Sequence, residues 1–406
     1  IDENTKNIIT GLIPAKNEDH ASINLKEAIE AVPKLKEYSE NDNKFSIERN
    51  GKIIRTTSWK ELFDVAIRLE GCYKTAGMHA AGVVITDCSF DDANVPLVKG
   101  TTKDDLICGW DMDAVDALGL LKVDILGIAT LDVLRTAQRL IKERHNIEFD
   151  LHNLPLDDKK AYDLLHNGYN QGIFQLESNL GKSWSKKCKP NTIEEIGALI
   201  SVIRPAVLEA GFADSYAKRK NNEESITYIH PKLEPILKPT YGVLLFQEQM
   251  MDIVNKICGW DLKKADSLRK CVGKKKPEEL RAMEKDFIVD ATKSVGEETA
   301  QELWRWIENA GGYGFNSSHA MGYAMLSYWT AWVKANYYIE FLCANLIHAK
   351  DKANQQRTPQ EVIAQFVNDG KLHNIDIVPP QLNNSNDDFS IIDDNTISFG
   401  FSHIKN

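Results

Sequence analysis

Positive charge is the first thing this sequence is short of. Of its 406 residues 49 are Lys or Arg and 59 are Asp or Glu, a formal charge of −10, and no polybasic tail marks a nucleic-acid partner. Any such site must be a local cluster working against an acidic background. Cys-x-x-Cys pairs are missing too. The seven cysteines (Cys72, Cys88, Cys108, Cys188, Cys258, Cys271 and Cys343) are odd in number and scattered, which argues against a zinc or redox motif and for reduced, intracellular thiols. There is no internal repeat and no low-complexity tract. Residues 309–333 lack Asp, Glu, Lys and Arg for longer than a membrane span needs, yet they hold Gly311, Gly312, Gly314, Asn316, Ser317, Ser318 and His319, the composition of a buried site. The chain opens at Ile1 without a signal peptide or initiator methionine, and an alternating run over 396–404 stops just before Asn406. Both ends are therefore expected to be cuts through something larger.

What is present, at 43% hydrophobic residues, suffices for two or three globular domains. Residues 1 to about 70 read as a small helical unit with polar interruptions and a charged turn at Arg49-Asn50-Gly51-Lys52. At Gly77 a glycine-punctuated segment enters a short β-branched run, His79-Ala80-Ala81-Gly82-Val83-Val84-Ile85, which predicts a buried strand. A second run over 118–126 predicts another, passing into a helix over 131–145. Helices then dominate, over 194–203, 244–258, 277–292, 299–309 and 324–347, before short strands return over 389–404.

Three places could carry chemistry. On a strand over 119–127, alternate residues share a face, so Lys122 and Asp124 project together while Leu121, Val123 and Ile125 point the other way. That pattern fits a solvated edge or an internal salt bridge, and equally a carboxylate for a divalent metal beside a lysine aimed at a phosphate. Cations also recur in groups: Lys182, Lys186, Lys187 and Lys189, then Lys218, Arg219 and Lys220, then seven in the fifteen residues 262–276 (Lys263, Lys264, Arg269, Lys270, Lys274, Lys275 and Lys276). Charge runs are usually solvated surface, but if 262–276 is helical, Asp266, Arg269 and Lys270 share a face that could grip a polyphosphate. Finally, Asn316, Ser317, Ser318 and His319 introduce an apolar stretch with Tyr323, Tyr328, Trp329, Trp332, Tyr337 and Tyr338. Aromatic stripes are more often core than ligand platform. The polar cluster at the start suits either helix capping or anion binding.

Taken in order, several motifs resemble one family over nearly the whole chain. They are 79–85, 120–126, 173–178, Ile229-His230-Pro231 with Thr240-Tyr241-Gly242-Val243, Gln247-Glu248-Gln249-Met250, 265–270 and 313–319, continued by Val378-Pro379-Pro380 and Ile397-Ser398-Phe399-Gly400-Phe401. The family is that of the bacterial replicative DNA polymerase III alpha subunit, family C, and the wording of 79–85 is similar to its DnaE-type branch. The resemblance implies a mixed α/β, mostly helical fold with part of a DNA polymerase β-like nucleotidyltransferase palm, a helical thumb and large helical fingers. It maps onto thumb (1–75), second part of the palm (76–130) and fingers (131–406, with the start of a following segment at the C-terminal end). It implies template-directed transfer of dNMP from dNTP to a primer 3′-hydroxyl with two Mg²⁺ ions held by three palm aspartates. Asp124 matches the third aspartate and Lys122 a lysine near the triphosphate. Arg269, Lys270 and Lys274 match the cationic fingers segment, and Asn316, Ser318 and His319 the nucleotide pocket, where the histidine senses the sugar. Lys182, Lys186, Lys187, Lys218, Arg219 and Lys220 are the expected contacts to primer-template DNA.

Departures from the family pattern qualify this. The first two catalytic aspartates belong to a Pro-Asp-x-Asp-x-Asp-Phe-type motif, and none lies between Ile1 and Asp124. The expectation is that an upstream segment or polypeptide supplies them and that the chain alone is inactive. The family's PHP, helix-hairpin-helix, clamp-binding and OB segments are absent, so any sliding-clamp contact lies in regions not present. Lys74, Asn179-Leu180-Gly181, Pro205-Ala206 and Trp329 are smaller deviations, in keeping with a divergent, phage-encoded or split-gene version. No membrane is expected; the compartment is the cytoplasm, at a bacterial nucleoid or in the host of a phage. A non-catalytic DNA-binding or partner-binding subunit is the competing reading, and a nucleotidyltransferase for a small substrate the third.

Overall fold

The computed structural model describes residues 3–14, 23–49, 52–72, 77–79, 81–100, 106–204, 207–208, 210–274, 277–311, 313–353 and 357–404, the residues at 3–4, 6–7, 48–49, 274, 277 and 310–311 by their backbone alone. Lys74, Pro205, Ala206, Lys275 and Lys276 lie outside those residues. The chain divides into two compact units, Ile1–Gly127 and Ile128–Asn406.

In the first unit, helices Glu3–Gly11, Leu25–Ala31, Pro33–Glu40 and Trp59–Leu69 enclose a small core of Ile9, Ala28, Leu35 and Phe63. Asn24 starts the second of them with a capping box, its Oδ1 accepting from the Glu27 N–H at 2.9 Å. The expected, mostly helical character holds except between the last two of these helices. β1 (Lys44–Arg49) and β2 (Lys52–Ser58) form an antiparallel hairpin. Phe45 and Ile47 alternate with polar residues in β1, but β2 gives no such signal, because Ile53 and Ile54 are neighbours and both exposed. β2 runs straight into the next helix through buried Thr57 and Ser58, the latter accepting from the Glu61 N–H as N-cap.

β3 (Gly82–Ile85) pairs antiparallel with β6 (Leu121–Asp124), placing Gly82 opposite Asp124 and Val84 opposite Lys122. β4 (Leu97–Lys99) and β5 (Leu106–Cys108) form a separate antiparallel pair. Between β5 and β6 a short helix, Met112–Ala117, is capped by Asp111, and Gly119 at φ +70° turns the chain into β6. These strands do form, but the expectation that they are buried is corrected. Val83, Ile85 and Leu121 are 45, 48 and 60% exposed. A two-stranded sheet has two faces and, among the described residues, only one is partly covered.

The second unit has three cores. The long helix Ser317–Asn336 lies against Lys159–Asn167 and Ile193–Val202 around Leu165, Leu199, Tyr216 and Tyr328. Helices Ala129–His145 and Tyr338–Ile347 pack around Leu134, Ile141 and Phe341, and this core extends to β7 (Asp376–Val378), β8 (Ser390–Asp393) and β9 (Thr396–Ser398), ordered β7-β9-β8 with β7 parallel to β9. The third gathers Gln247–Cys258, Leu262–Lys274, Pro277–Val295 and Glu297–Gly311 around Ile253, Leu268, Phe287 and Trp304. Two expected helices change. The one over 324–347 is broken at Tyr337 (φ −141°, ψ 63°), whose ring packs on His145, Phe149 and Trp332. The one over 244–258 starts only at Gln247, because Leu245 and Phe246 are drawn into a β-bridge with Phe315. The aromatic stripe is core: Trp329 and Trp332 pack against two of the clusters. No described helix is long and apolar enough to cross a membrane.

Candidate active site

In the first unit the site is one face of the β3–β6 pair. Alternation puts Lys122 and Asp124 on the same side, and the Lys122 Nζ donates to Asp124 Oδ1 at 2.6 Å. The internal salt bridge allowed by the sequence is therefore made. The lysine side chain is mostly covered and the carboxylate half exposed, at 19 and 56%. The hydrogen bond from Lys122 holds the Asp124 carboxyl below the usual carboxylate range. Across the strand pair, the Gly82 N–H donates to His79 Nδ1 at 2.7 Å and the Ala81 N–H to the same atom at 3.2 Å. A nitrogen that accepts two N–H groups carries no proton, so its 4.0 Å approach to Asp124 Oδ1 is not a hydrogen bond. Gly82 makes this fold-back feasible, since a Cβ there would stand 3.0 Å from both His79 Nδ1 and Lys122 Cε. Beside Lys122 a cavity of about 560 Å³ is lined by His79, Val84, Phe90, Trp110 and Val115 among others.

The second unit holds the cationic helix and the polar cluster. Leu262–Lys274 is helical, so Asp266 does meet both Arg269 and Lys270, each at 2.8 Å. Hydrogen bonds from Lys270 and then from Arg269 hold the Asp266 carboxyl below its usual range. The two cations are thus oriented by one acid rather than splayed in solvent. Arg269 also donates to Gln247 Oε1 at 3.2 Å. The side chain of Lys274 lies outside the described ones. At the start of Ser317–Asn336, Asn316 is the N-cap, its Oδ1 accepting from the His319 N–H at 2.8 Å. The imidazole of His319 sits between Phe315 and Tyr323, with ring centres 5.3 and 4.1 Å away. Ser318 is exposed.

The segments carrying Arg269 and His319 are tied through Gln247 and Glu248. The Gln247 N–H donates to the Phe315 carbonyl at 2.9 Å, while Glu248 accepts from Asn316 Nδ2 at 2.8 Å and from the Ser317 N–H at 2.9 Å. Sequence reasoning named both only within a family motif and gave neither a place in the site, since the bonds of Glu248 span 68 and 69 positions and leave no local pattern. It also missed Arg204, an exposed arginine whose guanidinium lies over the Phe315 ring at 5.0 Å and donates to the Tyr313 carbonyl.

The expected DNA-contacting cations divide. Lys186 and Lys218 are exposed. Lys187 is exposed but paired with Asp214 and set over the Trp184 ring. Lys182 donates to Gln171 Oε1 at 3.0 Å, and Arg219 to Glu224 at 2.7 Å. Lys220 turns inward instead: its side chain is 5% exposed and holds the Lys189 carbonyl and Glu195 at 2.8 and 3.2 Å. The third cation of that run thus ties neighbouring segments together, pairing with a carboxylate that is itself largely covered. Among the described residues no three His, Cys, Asp or Glu side chains gather to hold a metal ion. One carboxylate, already bonded to Lys122, does not fit two divalent cations.

Comparison with known proteins follows the same division. Residues 130–294 match the bacterial DNA polymerase III alpha subunit finger domain, and residues 1–127 the bacterial DNA polymerase III alpha NTPase domain. The DNA polymerase III subunit alpha of Aquifex aeolicus is 39% identical over 91% of this chain and 31% of its own length. That of Thermus aquaticus is 38% identical over 94% of the chain and 30% of its own length. That of Escherichia coli K12 is 35% identical over 94% and 32%. The chain spans about a third of the length of these relatives.

Proposed function

Since the chain belongs to the bacterial DNA polymerase III alpha subunit family, we propose that it is part of a DNA-directed DNA polymerase, contributing thumb (1–75), part of the palm (76–130) and fingers (131–406). The observation that carries this reading is the pairing of Arg269 and Lys270 of the Leu262–Lys274 helix with Asp266, together with the Gln247 contact to Arg269. Such an arrangement holds a guanidinium and an ammonium side by side at the entrance to a polar helix start, the geometry that grips a triphosphate. In this reading Arg269 and Lys270 bind the dNTP phosphates and His319 meets the sugar. Lys186 and Lys218 contact the primer-template backbone, where each phosphate contact adds salt dependence.

Asp124 supplies one carboxylate to a divalent-cation site, and Lys122 fixes that carboxylate's orientation. The other ligands come from residues not among those described, in an upstream segment or polypeptide, and clamp contacts from elsewhere in the assembly. The cytoplasm, where the template is, is the working compartment. The test is primer extension with dNTPs and Mg²⁺ by the 406-residue chain, by its Asp124→Asn variant, and by a version joined to the upstream segment of a relative. Extension only by the joined protein, lost on Asp124→Asn while DNA binding persists, is the expected outcome. Extension by Asp124→Asn near the parent rate removes Asp124 from the reacting centre, and primer-template binding with no extension by the joined protein leaves the non-catalytic subunit as the reading.

A further inference from the structure

Three consecutive residues at the start of helix Gln247–Cys258 reach three different segments. Gln249 is buried and its amide is saturated: Oε1 accepts from the Leu245 and Phe246 N–H groups at 3.1 and 3.0 Å, while Nε2 donates to the Ile236 carbonyl and Thr240 Oγ1 at 3.1 and 2.8 Å. It fixes the helix on the preceding segment, 236–246. Glu248 points toward the start of Ser317–Asn336, each carboxylate oxygen taking one bond, from Asn316 Nδ2 and from the Ser317 N–H. Gln247 faces Arg269 with its side chain and Phe315 with its backbone. Close approach is possible there because residue 314 is glycine: a Cβ would meet Gln247 Cγ at 3.2 Å and its backbone nitrogen at 3.3 Å.

We propose that Gln247 and Glu248 are positioning residues for nucleotide binding, setting the distance between the phosphate-holding Arg269 and the sugar-facing His319; this rests on the polymerase reading above. Glu248 turns the Asn316 amide so that its Oδ1 faces the His319 N–H, and so fixes the helix start from which the imidazole projects. The negative carboxylate also suits the positive end of that helix. Glutamine at 248 can accept one of the two bonds but presents an NH₂ to the other donor, so Glu248→Gln is a partial loss and Glu248→Ala a complete one.

Two measurements test this. The first is amide hydrogen exchange at Ser317 and His319 in the 406-residue chain, for wild type, Glu248→Ala and Glu248→Gln. The second is single-nucleotide incorporation by the upstream-joined polymerase, which gives the half-saturating dNTP concentration, the maximal rate and the primer-template affinity. The expected result is faster exchange at both amides and a roughly tenfold rise in half-saturating dNTP for Glu248→Ala. Glu248→Gln should show a smaller rise, and primer-template affinity should not change. Faster exchange with unchanged dNTP dependence makes the contact a cap and overturns the proposal. So does a parallel loss of rate, dNTP affinity and DNA affinity, which marks general damage. Should wild type incorporate nothing, the polymerase reading falls, and unchanged exchange in Glu248→Ala still overturns the positioning role by itself.

Discussion

The two units treat their apolar residues differently. In Ile128–Asn406, helices, joined in one case by a three-stranded sheet, close three cores, and the chemistry-bearing side chains are fixed by neighbours from several segments of the same unit. In Ile1–Gly127 the main buried cluster has four members, and large hydrophobics are exposed on and around the strands, among them Val83, Ile85, Leu121, Ile125 and Leu126. Asp124 is held there by one lysine on a two-stranded sheet. A cationic clamp can be preorganised by local helix geometry and a single acid, because cations three and four residues apart meet it on one face. A carboxylate site of the two-cation kind must draw ligands from several strands. The smaller unit, which carries the carboxylate, exposes large apolar residues at a higher density than the larger one, although Leu262, Leu372 and Leu382 of the second unit are exposed too.

The sharpest way to break this comparison lies in the second unit. Lys334 is fully buried, donating to the Gln171 carbonyl and to Asp369, each at 2.9 Å, and burial lowers its pKa despite the acid. Lys334→Ala leaves Asp369 without its cationic partner, with the Tyr338 hydroxyl alone, among the described residues, donating to the carboxylate at 2.8 Å, and is expected to cost about 3 kcal/mol in denaturant unfolding of this unit. A loss below about 1 kcal/mol would mean that the packing is looser than described. Next comes a matched pair of substitutions. Ile196→Thr, at a fully buried position, should cost about 2–4 kcal/mol, whereas Ile85→Thr, at a half-exposed one, should cost under about 0.5 kcal/mol. Equal costs would show that the β3–β6 face is covered in solution.

The smallest effect is electrostatic. Lys270 and Arg269 hold the Asp266 carboxyl below its usual range. The stabilisation of that pairing is therefore present above the ordinary carboxylate pKa of about 3.9 and is lost as pH falls through the lower folded value. The side-chain carboxyl resonance of Asp266 should titrate below that of an unpaired aspartate, and an ordinary midpoint would mean that the cations are free.

Much of the fold was legible where the signal is local. Helix Ala129–His145 and helix Ile193–Val202 fall within two residues of their sequence-based bounds, because helical apolar spacing, such as that of Leu131, Leu134 and Leu140, acts over a few positions. The Lys122/Asp124 pair followed from strand alternation, and the Asp266 pairing from helical spacing. What was not legible depends on partners far along the chain. Tyr337 breaks a continuous apolar run because its ring is held by Phe149 and His145. Phe246 leaves the helix to bridge Phe315, and Lys220 turns inward to Glu195. Burial of the Val83 strand was misjudged for a related reason: β-branched runs report that a strand will be covered, not which segment covers it.

The division of labour between the units is tested most directly by single-turnover incorporation of one nucleotide by the upstream-joined polymerase, titrated with dNTP, in wild type, Asp124→Asn and Arg269→Ala. Asp124→Asn should lower the maximal rate at least ~100-fold with little change in the half-saturating dNTP concentration. Arg269→Ala should raise that concentration roughly ten- to a hundredfold while primer-template affinity stays put. If instead Arg269→Ala weakens DNA and dNTP equally, or Asp124→Asn alters only nucleotide affinity, the assignment of rate to the first unit and nucleotide grip to the second is wrong.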